Sequence, residues 1–379
     1  MGAIRLFLAC GVFLLHLNEQ VLDNAGLHVN PIFVGNLIGG RAVIFFYIVS
    51  GFLISYVLNN KYPATAAGTR AFYRSRFLRI YPLWWVILLV CVAIGAARGS
   101  GGAAGYVAPA ALIGSDWLVA FRHYPLPDWA VFPPGAEIGW TLGAELAFYL
   151  LAPWILRSTS CTIALFACSA AIRALLLWLI ASADPAYKTW TYLFFPSILL
   201  FFLMGHLAER THRWRPIGPA LSVLLLAAAA AAASRLDDST SLGDSWFHVA
   251  ALCFAVALPG IFAATKDHRV SNFLGDLTYP LYLTHSLVIL AVFDGVLSPL
   301  GRRLIATGGS FGARGLASAF MLAACLALAL GVAMVTHVAI ERRARAAFAW
   351  LLERARPRRT APRDAMVPAP EVRRPVGRA

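Results

Sequence analysis

Ala42-Val-Ile-Phe-Phe-Tyr-Ile-Val-Ser-Gly-Phe-Leu-Ile-Ser-Tyr-Val-Leu58 contains no charged side chain. Its apolar residues do not alternate with polar ones, as the strand of a membrane barrel would require. In lipid the backbone polar groups of such a segment must pair with one another, and a helix does that within the segment itself. Six more stretches are also free of charge: 80–97, 189–208, 216–234, 245–265, 277–293 and 315–340. Two others carry one charge each, 138–156 with Glu145 and 158–183 with Arg173. A shorter apolar run, 6–18, lies between Arg5 and Glu19. It reaches spanning length if its helix starts earlier and Arg5 snorkels. A single arginine ahead of it, with no small-residue cleavage site behind, argues against a signal peptide. These stretches predict an all-α, polytopic integral membrane protein of about ten transmembrane helices.

Composition agrees. Apolar residues make up 60% of the 379, charged residues only 13%, and mean hydropathy is +0.70. A soluble domain has roughly twice that share of charge. The six cysteines all lie in apolar stretches and form no CxxC pair, so they read as small buried hydrophobes. No metal site is expected.

The net charge of +14 resembles that of a nucleic-acid binder until the charges are placed. If residues 59–79 are cytoplasmic, then 22 of the 32 Lys and Arg residues fall on that side, about eight fall outside and two lie within spans. The positive-inside rule therefore puts both termini in the cytoplasm. Eleven of the basic residues belong to the Pro/Arg-rich tail. The chain divides into a membrane domain, 1–341, and a basic cytoplasmic tail, 342–379, expected to be disordered and to meet anionic lipid headgroups. No nucleic-acid partner is expected.

Ionisable residues at membrane depth are costly and mark function. Arg5 and His16 are eleven residues apart, so they share one face of the first helix about 16 Å apart along its axis. Arg76 and Arg79 share a face where the third span leaves the cytoplasm, and arginine is the side chain shaped for phosphate. Glu145 lies inside the fourth span and needs a cation or base, for which His16 and the arginines are the available partners. His206, His248 and His337 fall near predicted span ends, where snorkelling or capping is the expected role. Trp117, Tyr124 and Trp129, in the long outer loop 98–137, suit either sugar stacking or an interfacial belt.

Taken together, five segments in order resemble the acyltransferase family 3 group of membrane acyltransferases. Arg5-x10-His16 is similar to the family's Arg…His first helix. Phe45-Phe46-Tyr47-Ile48-Val49-Ser50-Gly51-Phe52-Leu53-Ile54 is similar to its second helix, and Arg76-Phe-Leu-Arg79-Ile-Tyr-Pro to the start of its third. Trp140-Thr-Leu-x-x-Glu145-x-x-Phe-Tyr149 and Gly275-x-x-Thr-Tyr279-x-Leu-Tyr282-Leu-x-His285 are similar to two later motifs. The acidic residue and leucine usual ahead of the family's first arginine have no counterpart, since only Met1 to Ile4 precede Arg5.

The resemblance implies a multi-pass O-acetyltransferase of the cell (inner) membrane. Such an enzyme moves an acyl group, usually acetyl, from cytoplasmic acetyl-CoA to a hydroxyl of a carbohydrate such as a surface polysaccharide or lipopolysaccharide, or of a macrolide-type metabolite. Under that reading Arg76 and Arg79, with Arg5 nearby, bind the phosphates of acyl-CoA. His16 is the general base or a transient acyl carrier, and Glu145 orients or balances it. Ser50 and Tyr149 are candidate oxyanion donors, Tyr282 a supporting residue, and His285 a second acid/base group or a structural histidine. A secondary transporter is the competing class, with Pro196, Pro259 and Pro280 as helix breakers. The oligomeric state stays open.

Overall fold

The computed structural model describes residues 1–17, 41–97, 136, 138–180, 189–214, 217–233, 245–292 and 311–347. Among these the chain folds into ten α-helices: α1 Gly2–Leu17, α2 Ala42–Lys61, α3 Ala66–Ala97, α4 Gly139–Ile155, α5 Thr159–Leu179, α6 Phe195–Trp214, α7 Pro219–Ala233, α8 Ser245–Thr265, α9 Arg269–Val292 and α10 Phe311–Thr336. Two π turns, Thr189–Leu193 and His337–Glu341, precede α6 and follow α10. Helix then continues to residue 347, past the expected start of the tail. The outer-loop aromatics Trp117, Tyr124 and Trp129, and the tail from 348, lie outside the described residues.

Each of the ten apolar stretches overlaps one of these helices. Among the described residues, six helical segments are long and apolar enough to cross a membrane, and the protein is a multi-pass membrane protein. The prolines do not interrupt it as a transporter reading would have them. Pro259 and Pro280 sit inside continuous helices, and Pro196 falls in the first turn of α6, where no intrahelical N–H is needed.

Burial shows which medium the helices face. Trp178 is 80% exposed, Trp154 69% and Leu89 68%, so large apolar groups cover the outside. The buried positions of α5 are its polar ones, Thr162, Ser169 and Arg173. Arg173 donates to the Thr191 carbonyl at 2.6 Å and to His248 Nε2 at 3.1 Å, and its guanidinium lies over the Phe201 ring. This inverts the pattern of a soluble protein: lipid solvates the apolar face, and polar groups must find partners within the bundle.

Small residues bring helices close enough to make this interior. The Phe202 carbonyl of α6 lies where a Cβ on Gly51 of α2 would be, and the Ile48 carbonyl does the same to Gly205. Gly2 of α1 meets Ser271 and Gly275 of α9 in the same way. A buried network also ties α2 to α6. Ser55 is 2.7 Å from His206 Nδ1 and donates to Glu209 at 2.7 Å. His206 is 0% exposed, so it is a core residue rather than a capping one. Trp84, Phe52, Phe72, Phe148 and Phe202 fill the space between helices.

In an isolated helix Gly→Ala is stabilising by about 1 kcal/mol. Gly51→Ala should do the opposite here, because its methyl group meets the rigid Phe202 backbone. We expect a lower midpoint of thermal unfolding for the detergent-solubilised variant, with Gly331→Ala, whose Cβ position is open, as the control that should hold or raise the midpoint.

Candidate active site

One stripe of α2, comprising Val43, Phe46, Ser50, Leu53, Val57 and Lys61, lines a cavity of about 790 Å³. The stripe follows i, i+3 and i+4 spacing, so a single helix face forms the wall. Lys61 and Val43 are 18 residues apart, so the wall runs about 27 Å at 1.5 Å per residue. Helices α3, α4 and α9 complete the cavity, joined by Arg5 from α1 and by Arg345. Lys61, Arg74, Arg76 and Arg345 gather toward one end, and Phe46, Thr141 and Tyr282 form the other.

Glu145 sits midway along. Ser50 Oγ donates to its Oε1 at 2.8 Å, and the Tyr149 hydroxyl donates to the same oxygen. Arg5 is close enough to feel Glu145, Asp276 and Arg79 electrostatically. Of the partners the sequence offered, an arginine rather than His16 meets Glu145: the carboxylate is held by two hydroxyls and faced by Arg5. That arrangement also places Ser50 and Tyr149 differently. Each hydroxyl has one proton to donate, and both are given to Glu145 rather than aimed at an oxyanion.

The two arginines of α3 share a face, as their spacing predicts, but have different surroundings. Arg79 donates to Glu341 Oε1 at 2.6 Å and lies over the Tyr279 ring. Glu341, 1% exposed, also meets His337 Nδ1 at 2.8 Å and Arg345 Nη2. Arg79 is thus ion-paired through Nη1 while it still lines the cavity. Arg76 lies over the rings of Phe72 and Tyr149, donates through Nη2 to Ser75 at 3.2 Å, and keeps a buried Nε with no hydrogen-bond partner among the described residues.

His16 lies deeper. Its Nδ1 is 2.9 Å from Nε2 of His285, whose Nδ1 is 2.5 Å from the Tyr282 carbonyl. The Tyr282 hydroxyl is 2.7 Å from Thr141 Oγ1. Tyr282 is the deepest α9 residue of the cavity wall, and the histidine pair lies about one helical turn beyond it. His16 and His285 are 269 residues apart in the chain, and the parallel packing of α1 and α9 brings them together.

Sequence reasoning missed Glu209, Glu341, Lys61, Arg74, Asp276 and Arg345. Glu209 and Glu341 fell just outside the apolar runs, yet they are 3% and 1% exposed. A signal was available for Glu341, which stands four residues after His337 and so shares its helix face.

With this geometry in hand, comparison with known proteins defines the class. The acyltransferase family 3 sequence model, described as an acyltransferase domain, matches residues 1–338, and the chain belongs to that family. It is an acyltransferase enzyme with a multi-pass membrane fold. It is similar to the acyltransferase MdmB of Streptomyces mycarofaciens, with 28% identity across 99% of this chain and 97% of that protein. No solved structure matches the chain.

Breaking the Glu341 cluster leaves cations facing one another at partly buried sites. Glu341→Leu should cost about 3 kcal/mol, read as a lower unfolding midpoint in detergent. Arg79→Met in the same chain should recover part of the loss, giving a coupling in a double-mutant cycle.

Proposed function

We propose that the cavity receives acetyl-CoA from the cytoplasmic side of the cell (inner) membrane, and that the acetyl group passes to a hydroxyl of a carbohydrate acceptor. The observation that supports this reading most is the polarity of the shaft. Four cations, Lys61, Arg74, Arg76 and Arg345, stand toward one end, and an imidazole pair lies beyond the other. A donor with phosphates at one end and a thioester at the other matches that polarity.

In this reading the phosphates dock at the cationic end, where the Arg76 Nε, without a partner among the described residues, offers a charge-assisted hydrogen bond. The pantetheine arm follows the α2 stripe, whose Leu53 and Val57 suit its methylene groups. Arg5, faced by Glu145 and Asp276, holds positive charge midway without leaving it uncompensated. The thioester comes to rest near Tyr282. His16 takes the proton of the acceptor hydroxyl as its oxygen bonds to the thioester carbon. The tetrahedral adduct collapses, the carbon–sulfur bond breaks, and the CoA thiolate leaves with the proton from His16. In the same reading both termini face the cytoplasm.

The test uses purified full-length protein in lipid nanodiscs with labelled acetyl-CoA and a surface oligosaccharide. Label should enter the sugar, with one free thiol appearing per acetyl transferred. His16→Ala should lower turnover about 10²–10⁴-fold while leaving unfolding unchanged. Arg76→Ala should raise KM for acetyl-CoA about tenfold or more with a smaller change in kcat. Transfer by His16→Ala at the parent rate would refute the proposed chemistry. Solute uptake into vesicles without thioester loss would favour a transporter.

A further inference from the structure

His285 is a residue for which the sequence leaves two roles open, acid/base chemistry or simple structure. The geometry between the two imidazoles is specific. Their planes are within 10° of each other, the facing nitrogens are 2.9 Å apart and the ring centroids 5.2 Å apart. That centroid separation is the nitrogen–nitrogen distance extended by one ring radius on each side. The rings therefore lie edge to edge and nearly coplanar, along the line of an N–H···N hydrogen bond, rather than face to face.

The direction of that bond follows from the third group. The Tyr282 carbonyl can only accept, so the proton 2.5 Å away is on His285 Nδ1. His285 is 1% exposed, and neither imidazole has a carboxylate partner among the described residues, because Glu145 is held by Ser50 and Tyr149. A second proton on His285 would make a buried cation without a counterion. Its Nε2 is then a lone pair, which accepts from Nδ1–H of His16. His16, likewise without a carboxylate partner among the described residues, is neutral on the same ground, so its remaining nitrogen, Nε2, carries no proton.

We infer that His285 is a positioning residue that holds His16 in the Nδ1–H tautomer, leaving Nε2 of His16 as the nitrogen that takes the acceptor's proton. The inference deepens the proposed function, since it names the atom and its support in the same reaction. The Tyr282 carbonyl orients His285 and His285 orients His16, as the partner of a catalytic imidazole fixes its tautomer in hydrolytic triads. The proton transferred in the reaction arrives at and leaves from Nε2, and the His16–His285 bond keeps its proton throughout. His285 does not meet the substrate in this scheme.

Two readouts separate this role from a helix-to-helix clasp. In ¹⁵N-histidine-labelled protein in lipid, the His16 signals, identified by their loss in His16→Ala, should show a protonated Nδ1 and a bare Nε2. A nitrogen–nitrogen coupling should link Nδ1 of His16 to Nε2 of His285. In kinetics, His285→Phe keeps the ring shape but removes the acceptor. It should lower kcat about 10–100-fold with KM for acetyl-CoA within about twofold. His285→Gln restores an acceptor oxygen near the Nε2 position and should recover at least about a tenth of the parent kcat. A protonated Nε2 on His16 in the unaltered protein would overturn the inference, as would parental kcat in His285→Phe. If His285→Phe fails to fold, the spectrum of the unaltered protein still decides. The failure of the wider reading looks different: His16→Ala would then retain transfer, whatever the tautomer of His16.

Discussion

A carboxylate at membrane depth has no water to turn to, so its partners must come from the protein. Glu145 is the residue around which this constraint is met. Ser50 from α2 and Tyr149 one turn along α4 both donate to it, and Arg5 from α1 faces it across the cavity. Three helices are thereby committed to one point inside the bundle. The cavity exists because they converge there with polar groups rather than with packed apolar ones.

The same constraint explains the separate polar clusters elsewhere. Arg173 gathers Thr191, Ser197 and His248, and Ser55 gathers His206 and Glu209. Glu341 gathers Arg79, His337 and Arg345. Each cluster joins segments distant in the chain, and each leaves its apolar neighbours facing outward. Glu341 also sorts the arginines of α3: it engages Arg79, while Arg76, over the rings of Phe72 and Tyr149, keeps an Nε with no partner among the described residues.

The imidazole pair adds a directional element at the deep end. A carbonyl that can only accept sets the direction of a short chain of hydrogen bonds from α9 to α1. That direction would be lost if His285 faced a second acceptor instead of His16. Tyr282 serves both neighbourhoods, giving its hydroxyl to the Thr141 contact on the cavity side and its carbonyl to His285.

Helical architecture was legible from the apolar runs alone, because lipid leaves a charge-free segment such as 42–58 few other ways to pair its backbone. The face shared by Arg76 and Arg79 was likewise a matter of helical pitch, as was the clustering of the candidate residues into a few helices. Which residue each one meets was not. Helical spacing says which side chains share a face, but it does not say which face of another helix comes opposite. The meeting of His16 with His285, of Glu145 with Ser50 and Tyr149, and of Arg79 with Glu341 depends on how α1, α2, α3, α4 and α9 are rotated against one another. Close approaches at Gly2, Gly51 and Gly205 help set those rotations, and they are properties of the assembled bundle.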